Sequence, residues 1–212
     1  MARMNNGILD EFSGTIGKVV GSNWKGVAYM RAKPKKRSNA GTESQLEQQA
    51  RFALASKFAQ SMSQLLTLGF RDQAINMTGT NYALSQILNE AITGTSPDFQ
   101  IDYSKVAVSR GKLQRAKTPA ATAGSKAGII QFTWADNSAR QNAKSTDQSL
   151  LVAYCPELNE TEYIIGTTRS AGSGLLDVED FSGKKVQTWM SFLSANTKLI
   201  ANSAYTGEVT VP

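Results

Sequence analysis

A chain of 212 residues, 41% of them apolar, has room for one large domain or two small ones, with enough apolar side chain to bury a core. A single cysteine, Cys155, and the absence of histidine exclude an internal disulfide framework and remove the usual general base and the commonest metal ligand. The net charge of +6 allows an acidic partner, nucleic acid or an anionic surface, as readily as it serves solubility.

The first twelve residues, MARMNNGILDEF, lack the apolar centre of a secretory signal peptide. No run in the chain reaches the ~18 apolar residues of a membrane span. The sequence therefore predicts a protein made in the cytoplasm that either stays there or leaves in a released particle. Ile8, Leu9 and Phe12 are apolar points too sparse to form a core. They predict an arm that orders against a neighbouring subunit.

Ile16 to Val20 reads as a strand, Gly21-Ser22-Asn23 as a turn and Trp24 to Arg31 as the returning strand. Simple alternation puts Trp24, Gly26, Ala28 and Met30 on one face and Lys25, Val27, Tyr29 and Arg31 on the other. A two-stranded hairpin is marginal alone in water, so this one needs a covering surface from the helices, a second domain or another copy. Trp24 reads first as packing and second as contact surface. With Ile8, Leu9, Phe12 and Tyr29 it makes up the candidate subunit interface. A dense cationic run follows: Arg31, Lys33, Lys35, Lys36 and Arg37, with Pro34 holding the backbone extended and no acidic residue between Glu11 and Glu43. Beside Trp24 and Tyr29 it could neutralise phosphates of a nucleic acid or meet an acidic patch on a neighbouring copy. The plainer alternative is a solvated linker that discourages edge pairing.

Thr42-Glu43-Ser44-Gln45 is a capping box. The helix it opens carries Leu46, Ala50, Leu54, Phe58, Met62 and Leu66, with a second strip at Phe52, Ala55 and Ala59, and Gly69 as its stop. Two strips predict burial on more than one side. After a connector over 70–79, a second helix from Thr80 shows Leu84, Ile87, Leu88, Ala91 and Ile92 before Gly94.

From Asp98 the apolar period switches to two, which divides the chain into an N-terminal region, 1–97, and a β domain, 98–212. Seven strand-like runs follow: Lys105–Leu113, Ile129–Trp134, Ser149–Cys155, Glu162–Ile165, Gly174–Val178, Lys185–Leu193 and Leu199–Val211, the last interrupted near Asn202-Ser203. Turn-rich segments at Thr118–Gly128 and Asp136–Thr146 separate them. The fold class is α+β: an N-terminal β-hairpin and two helices, then an antiparallel β-sandwich. With Trp134, Tyr154 and Trp189 late in or inside its strands, the region Ser104–Pro212 resembles a fibronectin type III-like, immunoglobulin-like module.

The whole chain resembles an uncharacterised family of about this length associated with Bacteroidota and their phages. The matching stretches are Gly14-Thr15-Ile16-Gly17-Lys18-Val19-Val20-Gly21, Trp24-Lys25-Gly26, Thr42-Glu43-Ser44-Gln45-Leu46, Ala91-Ile92-Thr93-Gly94, Asp102-Tyr103-Ser104-Lys105, Ser109-Arg110-Gly111 and the end from Asn202 to Val211. Asp10-Glu11 departs from the small or glycine residues expected there, which bears on how the arm packs. The resemblance implies a shape and no reaction.

Catalytic patterns do not emerge. No phosphate-binding loop or nucleophile elbow is present. Cys155 precedes Pro156 at a strand end and reads as a structural thiol. Asp177, Glu179 and Asp180 read as a solvated acidic turn before a calcium site, and Asp98 with Asp102 as carboxylates that nothing places across a cleft. The expectation is a non-enzymatic structural protein, without cofactor, that self-assembles into a virion-like particle or filament. The alternative is a nucleic-acid-binding protein that forms no large assembly.

Overall fold

The computed structural model describes residues 3–4, 12–24, 26–35 and 41–212, and the chain divides into two compact units, Met1–Thr42 and Glu43–Pro212. The first is an antiparallel sheet in the order β1 (Arg3–Met4), β2 (Phe12–Ile16), β3 (Val19–Trp24) and β4 (Val27–Ala32). Gly21-Ser22-Asn23, expected as a turn, is the middle of β3. The reversals fall one step to either side, where Ile16 pairs with Val19 and Trp24 with Val27. Gly26 takes φ +84, and its N–H donates to Asn23 Oδ1 at 2.9 Å. The Asn23 side chain thus closes the next turn rather than making one of its own backbone.

The second unit begins with α1 (Glu43–Ser61) and α2 (Ser63–Gly69). The single helix expected up to Gly69 breaks at Met62, whose φ of −124 and ψ of 28 leave the helical region. Ala55, Phe58, Ala59, Met62, Leu65 and Leu66 are buried, whereas Leu46 and Phe52, expected on apolar strips, are 54% and 49% exposed. Next comes α3 (Gly79–Gln86), capped by Thr78, whose hydroxyl accepts from the Asn81 N–H at 3.1 Å. A π-helical turn, Ile87–Ala91, leads into the short pair β5 (Ile92–Thr93) and β6 (Gln100–Ile101).

Seven strands complete the unit: β7 (Lys117–Ala123), β8 (Ile129–Ala135), β9 (Gln148–Cys155), β10 (Glu160–Thr168), β11 (Ser173–Asp177), β12 (Lys185–Leu193) and β13 (Ala204–Thr210). They form two antiparallel sheets, β10-β9-β12-β13 and β11-β8-β7. The fold is α+β, and these two sheets enclose one core as an antiparallel β-sandwich. One expected strand is absent and one unexpected strand is present. Lys105–Leu113 is not a strand: Val106 O instead accepts the indole N–H of Trp189 at 3.0 Å, and Leu113 makes a single bridge to Ala201. Within the segment expected as turn, Thr118–Gly128, lies most of β7, an edge strand whose small side chains and Pro119 hide its period.

β9 and β12 are buried on both faces. Leu151, Ala153, Cys155, Met190 and Phe192 point between the sheets. Leu150, Val152, Tyr154, Trp189 and Leu193 point the other way, into a second core shared with Phe58, Met62, Leu65, Leu66 and Phe70. The Phe58 ring sits edge-on to Tyr154 with centroids 4.8 Å apart. A boundary at 97/98 therefore does not coincide with the division of the chain. The switch of period marks a change of secondary structure inside one core.

Gly69 shows how closely the helices approach the β region. A Cβ there would run into the Val108 carbonyl, a backbone atom that cannot swing aside. Gly69→Ala is expected to destabilise the protein by about 1–3 kcal/mol, read as a lower urea midpoint. An unchanged midpoint would mean that α2 can retreat from that strand connection at no cost.

Candidate functional site

Register assigns the two faces of the N-terminal sheet. Side chains of directly paired residues share a face, and the pairs are Trp24 with Val27, Ser22 with Tyr29 and Val20 with Arg31. The two-residue turn between β3 and β4 shifts the parity, so Trp24 lies with Tyr29 and Arg31, not with Ala28 and Met30 as simple alternation had it. Trp24 is 52% exposed, Tyr29 43% and Val27 66%. On the opposite face Ile16, Val19 and Met30 are also exposed, and the Phe12 ring lies against Gly21, half-buried in its own sheet. Over residues 12–24 and 26–35 no apolar side chain is buried.

β4 is exposed along its whole length, and among the described residues its one strand partner is β3. The Lys33 N–H donates to the Lys18 carbonyl at 2.7 Å and continues that pairing one step further. By strand alternation the N–H groups of Val27, Tyr29 and Arg31 face β3, and those of Ala28, Met30 and Ala32 face outward. Such an edge is a template for another strand. Arg31, Lys33 and Lys35 are exposed and, among the described residues, not ion-paired. Ile8, Leu9, Lys36 and Arg37, also candidate contact residues, lie outside the described residues.

Elsewhere the candidate chemical groups have local roles. Cys155 is buried between the sheets. Asp177 accepts the Glu179 N–H at 3.2 Å and caps a short turn. Hydrogen bonds from Ser104 and Lys105 hold the Asp102 carboxyl below its ordinary pKa. Burial raises the Tyr103 and Tyr154 hydroxyls. Among the described residues no three His, Cys, Asp or Glu side chains converge on a metal position, and no helix is long and apolar enough to cross a membrane.

Sequence reasoning missed Arg169. Its guanidinium is fully buried, with Nε donating to Asp147 Oδ2 at 3.1 Å, Nη1 to Asn137 Oδ1 at 2.7 Å and Nη2 to the Gln114 carbonyl at 2.9 Å. It stacks 3.8 Å from the centre of the Phe192 ring. Burial pulls the guanidinium below its ordinary pKa, and Asp147 opposes that shift by charge and hydrogen bond. The Arg169 carbonyl in turn accepts the indole N–H of Trp134 at 2.7 Å. The partners lie 22, 32 and 55 residues away in sequence, so no local motif announces them.

No curated protein matches the chain. Among solved structures, a family 76 glycoside hydrolase from a bovine Bacteroides thetaiotaomicron strain is 15% identical over 47% of this chain, with a TM-score of 0.37. The match covers 20% of that hydrolase. The fn3 domain of human collagen alpha-1(XX) chain is 13% identical over 47% of this chain and 87% of its own length, with a TM-score of 0.34. Both likenesses are too slight to bear on function. The family comparison reaches much further: residues 11–207 match the Family of unknown function (DUF6266), and the chain belongs to that family.

Proposed function

We propose that this chain is a non-enzymatic structural subunit that self-assembles through its N-terminal sheet into a virion-like particle or a filament. The observation that carries the reading is β4, a six-residue edge strand exposed throughout, in a sheet with no buried apolar side chain over residues 12–24 and 26–35. A sheet without its own core is held by too little burial to be stable alone, and a strand from a second copy supplies both hydrogen bonds and cover. The cationic run Arg31, Lys33, Lys35, Lys36 and Arg37 then faces nucleic acid or the acidic surface of the next copy. Such a subunit is made in the cytoplasm and ends in a particle, and the motif resemblance extends the reading to Bacteroidota and their phages.

Size-exclusion chromatography with light scattering tests this directly. The expected result is a mass that grows with concentration beyond the monomer. A single monomeric species across a wide concentration range would sink the reading.

One observation favours a second reading, a nucleic-acid-binding protein that forms no large assembly. Arg31 shares a face with Trp24 and Tyr29, which pairs a cation with two exposed rings on which bases could stack. That reading requires retention on DNA-cellulose that falls steeply with salt. Retention indifferent to salt excludes it.

A further inference from the structure

A groove of about 490 Å³ opens at the edge of the sandwich, where the start of β7 faces Ala204 and Tyr205 of β13. Its volume lies within the ~300–1,000 Å³ that small-ligand sites occupy. Arg115, Lys117, Thr118, Asn137, Arg140 and Tyr205 line it. Arg115, Lys117 and Arg140 are all exposed, and among the described residues none is ion-paired. The nearest carboxylate in sequence, Asp136, is turned to its own loop, where it accepts the Ser138 N–H at 2.9 Å.

Two features mark the groove as built. First, its walls are tied together. Asn137 Nδ2 donates to the Arg115 carbonyl at 3.0 Å, Asn142 Nδ2 to the Lys112 carbonyl at 2.9 Å, and the Gln114 N–H to Asn142 Oδ1 at 3.0 Å. Beneath them Arg169 holds both the Gln114 carbonyl and Asn137 Oδ1. The three outer cations therefore sit on a fixed frame instead of a mobile loop. Second, the β7 wall is strained. Between Lys117 and Ala120 the register with β8 slips by a bulge, and inside it Thr118, a β-branched residue, adopts φ 47. Bulges re-aim side chains, and strained residues of this kind gather at ligand sites.

We propose that this groove binds the phosphate groups of a small phosphorylated ligand. Arg115 and Arg140 supply forked, bidentate donors and Lys117 a point charge. Three cations with no ion pair among the described residues suit a di- or triphosphate, whereas a single carboxylate leaves two of them without a partner. The Tyr205 ring itself packs against Trp189, with centroids 5.6 Å apart, and its hydroxyl bonds to Gln187, so the groove offers cations for the phosphates and no ring for the rest of the ligand. The site belongs to the second unit and does not depend on assembly through the first.

Titration calorimetry on the full chain, with inorganic tripolyphosphate in one arm and ATP in another, tests the proposal. Saturable one-to-one binding is expected, weakened roughly tenfold or more in the double variant Arg115→Gln/Arg140→Gln, since it removes two charge-assisted contacts. Both residues are exposed, so the variant should melt as the parent does. Lys33→Gln/Lys35→Gln should leave the affinity unchanged, and a comparable loss there would move the site to the cationic arm and overturn the proposal. Absence of saturable binding, or equal affinity in the groove variant, also overturns it. A short single-stranded oligonucleotide should compete no better than ATP. If it competes better, the ligand is a polymer and the small-ligand reading falls. Tripolyphosphate binding at least as tightly as ATP supports recognition through the phosphates alone, and ATP binding more than about tenfold tighter than tripolyphosphate overturns it.

Discussion

Replacing Arg169 by methionine is expected to destabilise the second unit by about 3–5 kcal/mol, the range for breaking a buried ion pair from one side. The substitution keeps much of the apolar stem against Phe192 but strands Asp147, which is 1% exposed, beside Asn137 Oδ1 and the Gln114 carbonyl. Asp147 keeps only the Lys144 N–H at 2.9 Å, and Asn137 Oδ1 and the Gln114 carbonyl lose the Arg169 donor, at a site that water reaches poorly. Since whole domains are stable by only ~5–15 kcal/mol, the change should be plain in urea unfolding followed by circular dichroism. Arg169→Met combined with Asp147→Leu should recover part of the loss, because the uncompensated charge goes with its partner. A cost under about 1 kcal/mol for the single change, with no recovery in the double, would show that water or a neighbouring cation replaces the guanidinium and that the cluster is not what ties the 136–147 loop to the sandwich.

That cluster also shows where sequence reading stops. β9 and β12 were legible because burial on both faces leaves a near-continuous apolar run, LLVAYC in one and VQTWMSFL in the other. The helices were legible from apolar spacing, yet the exposure of Leu46 and Phe52 was not, since spacing reports which residues share a side and not whether anything covers it. β7 was hidden because KTPAATA carries no large apolar residue. The N-terminal turns differ from expectation because glycine occurs at both the real and the apparent reversals, and pairing chooses between them. The expected basic contact residues Arg31, Lys33 and Lys35 are exposed in the structure. The groove cations Arg115, Lys117 and Arg140 are spread over two segments that the β7–β8 pairing and the Asn137, Asn142 and Arg169 hydrogen bonds bring together, so no charge run points to them.

Met30→Pro is expected to raise the concentration needed for self-association by roughly tenfold or more while leaving the N-terminal sheet paired. The direction of one hydrogen-bonding group decides the outcome. With the Lys33 N–H directed at Lys18, alternation turns the Met30 N–H away from β3. Proline there removes a donor from the free edge, and its ring stands where an added strand would approach. The loss of one or two intermolecular hydrogen bonds, each worth about 0.5–1.5 kcal/mol net, together with the steric block, gives a shift of that size. Tyr29→Pro is the complementary variant: its N–H faces β3, so proline breaks the internal ladder, and the sheet itself should loosen. If Met30→Pro assembles as the parent does, the edge is not the route. The exposed face of Trp24, Val27 and Tyr29 then remains as the contact, and Trp24→Ser with Tyr29→Ser decides it by light scattering. A chain in which neither substitution changes the mass distribution does not assemble through its first unit at all.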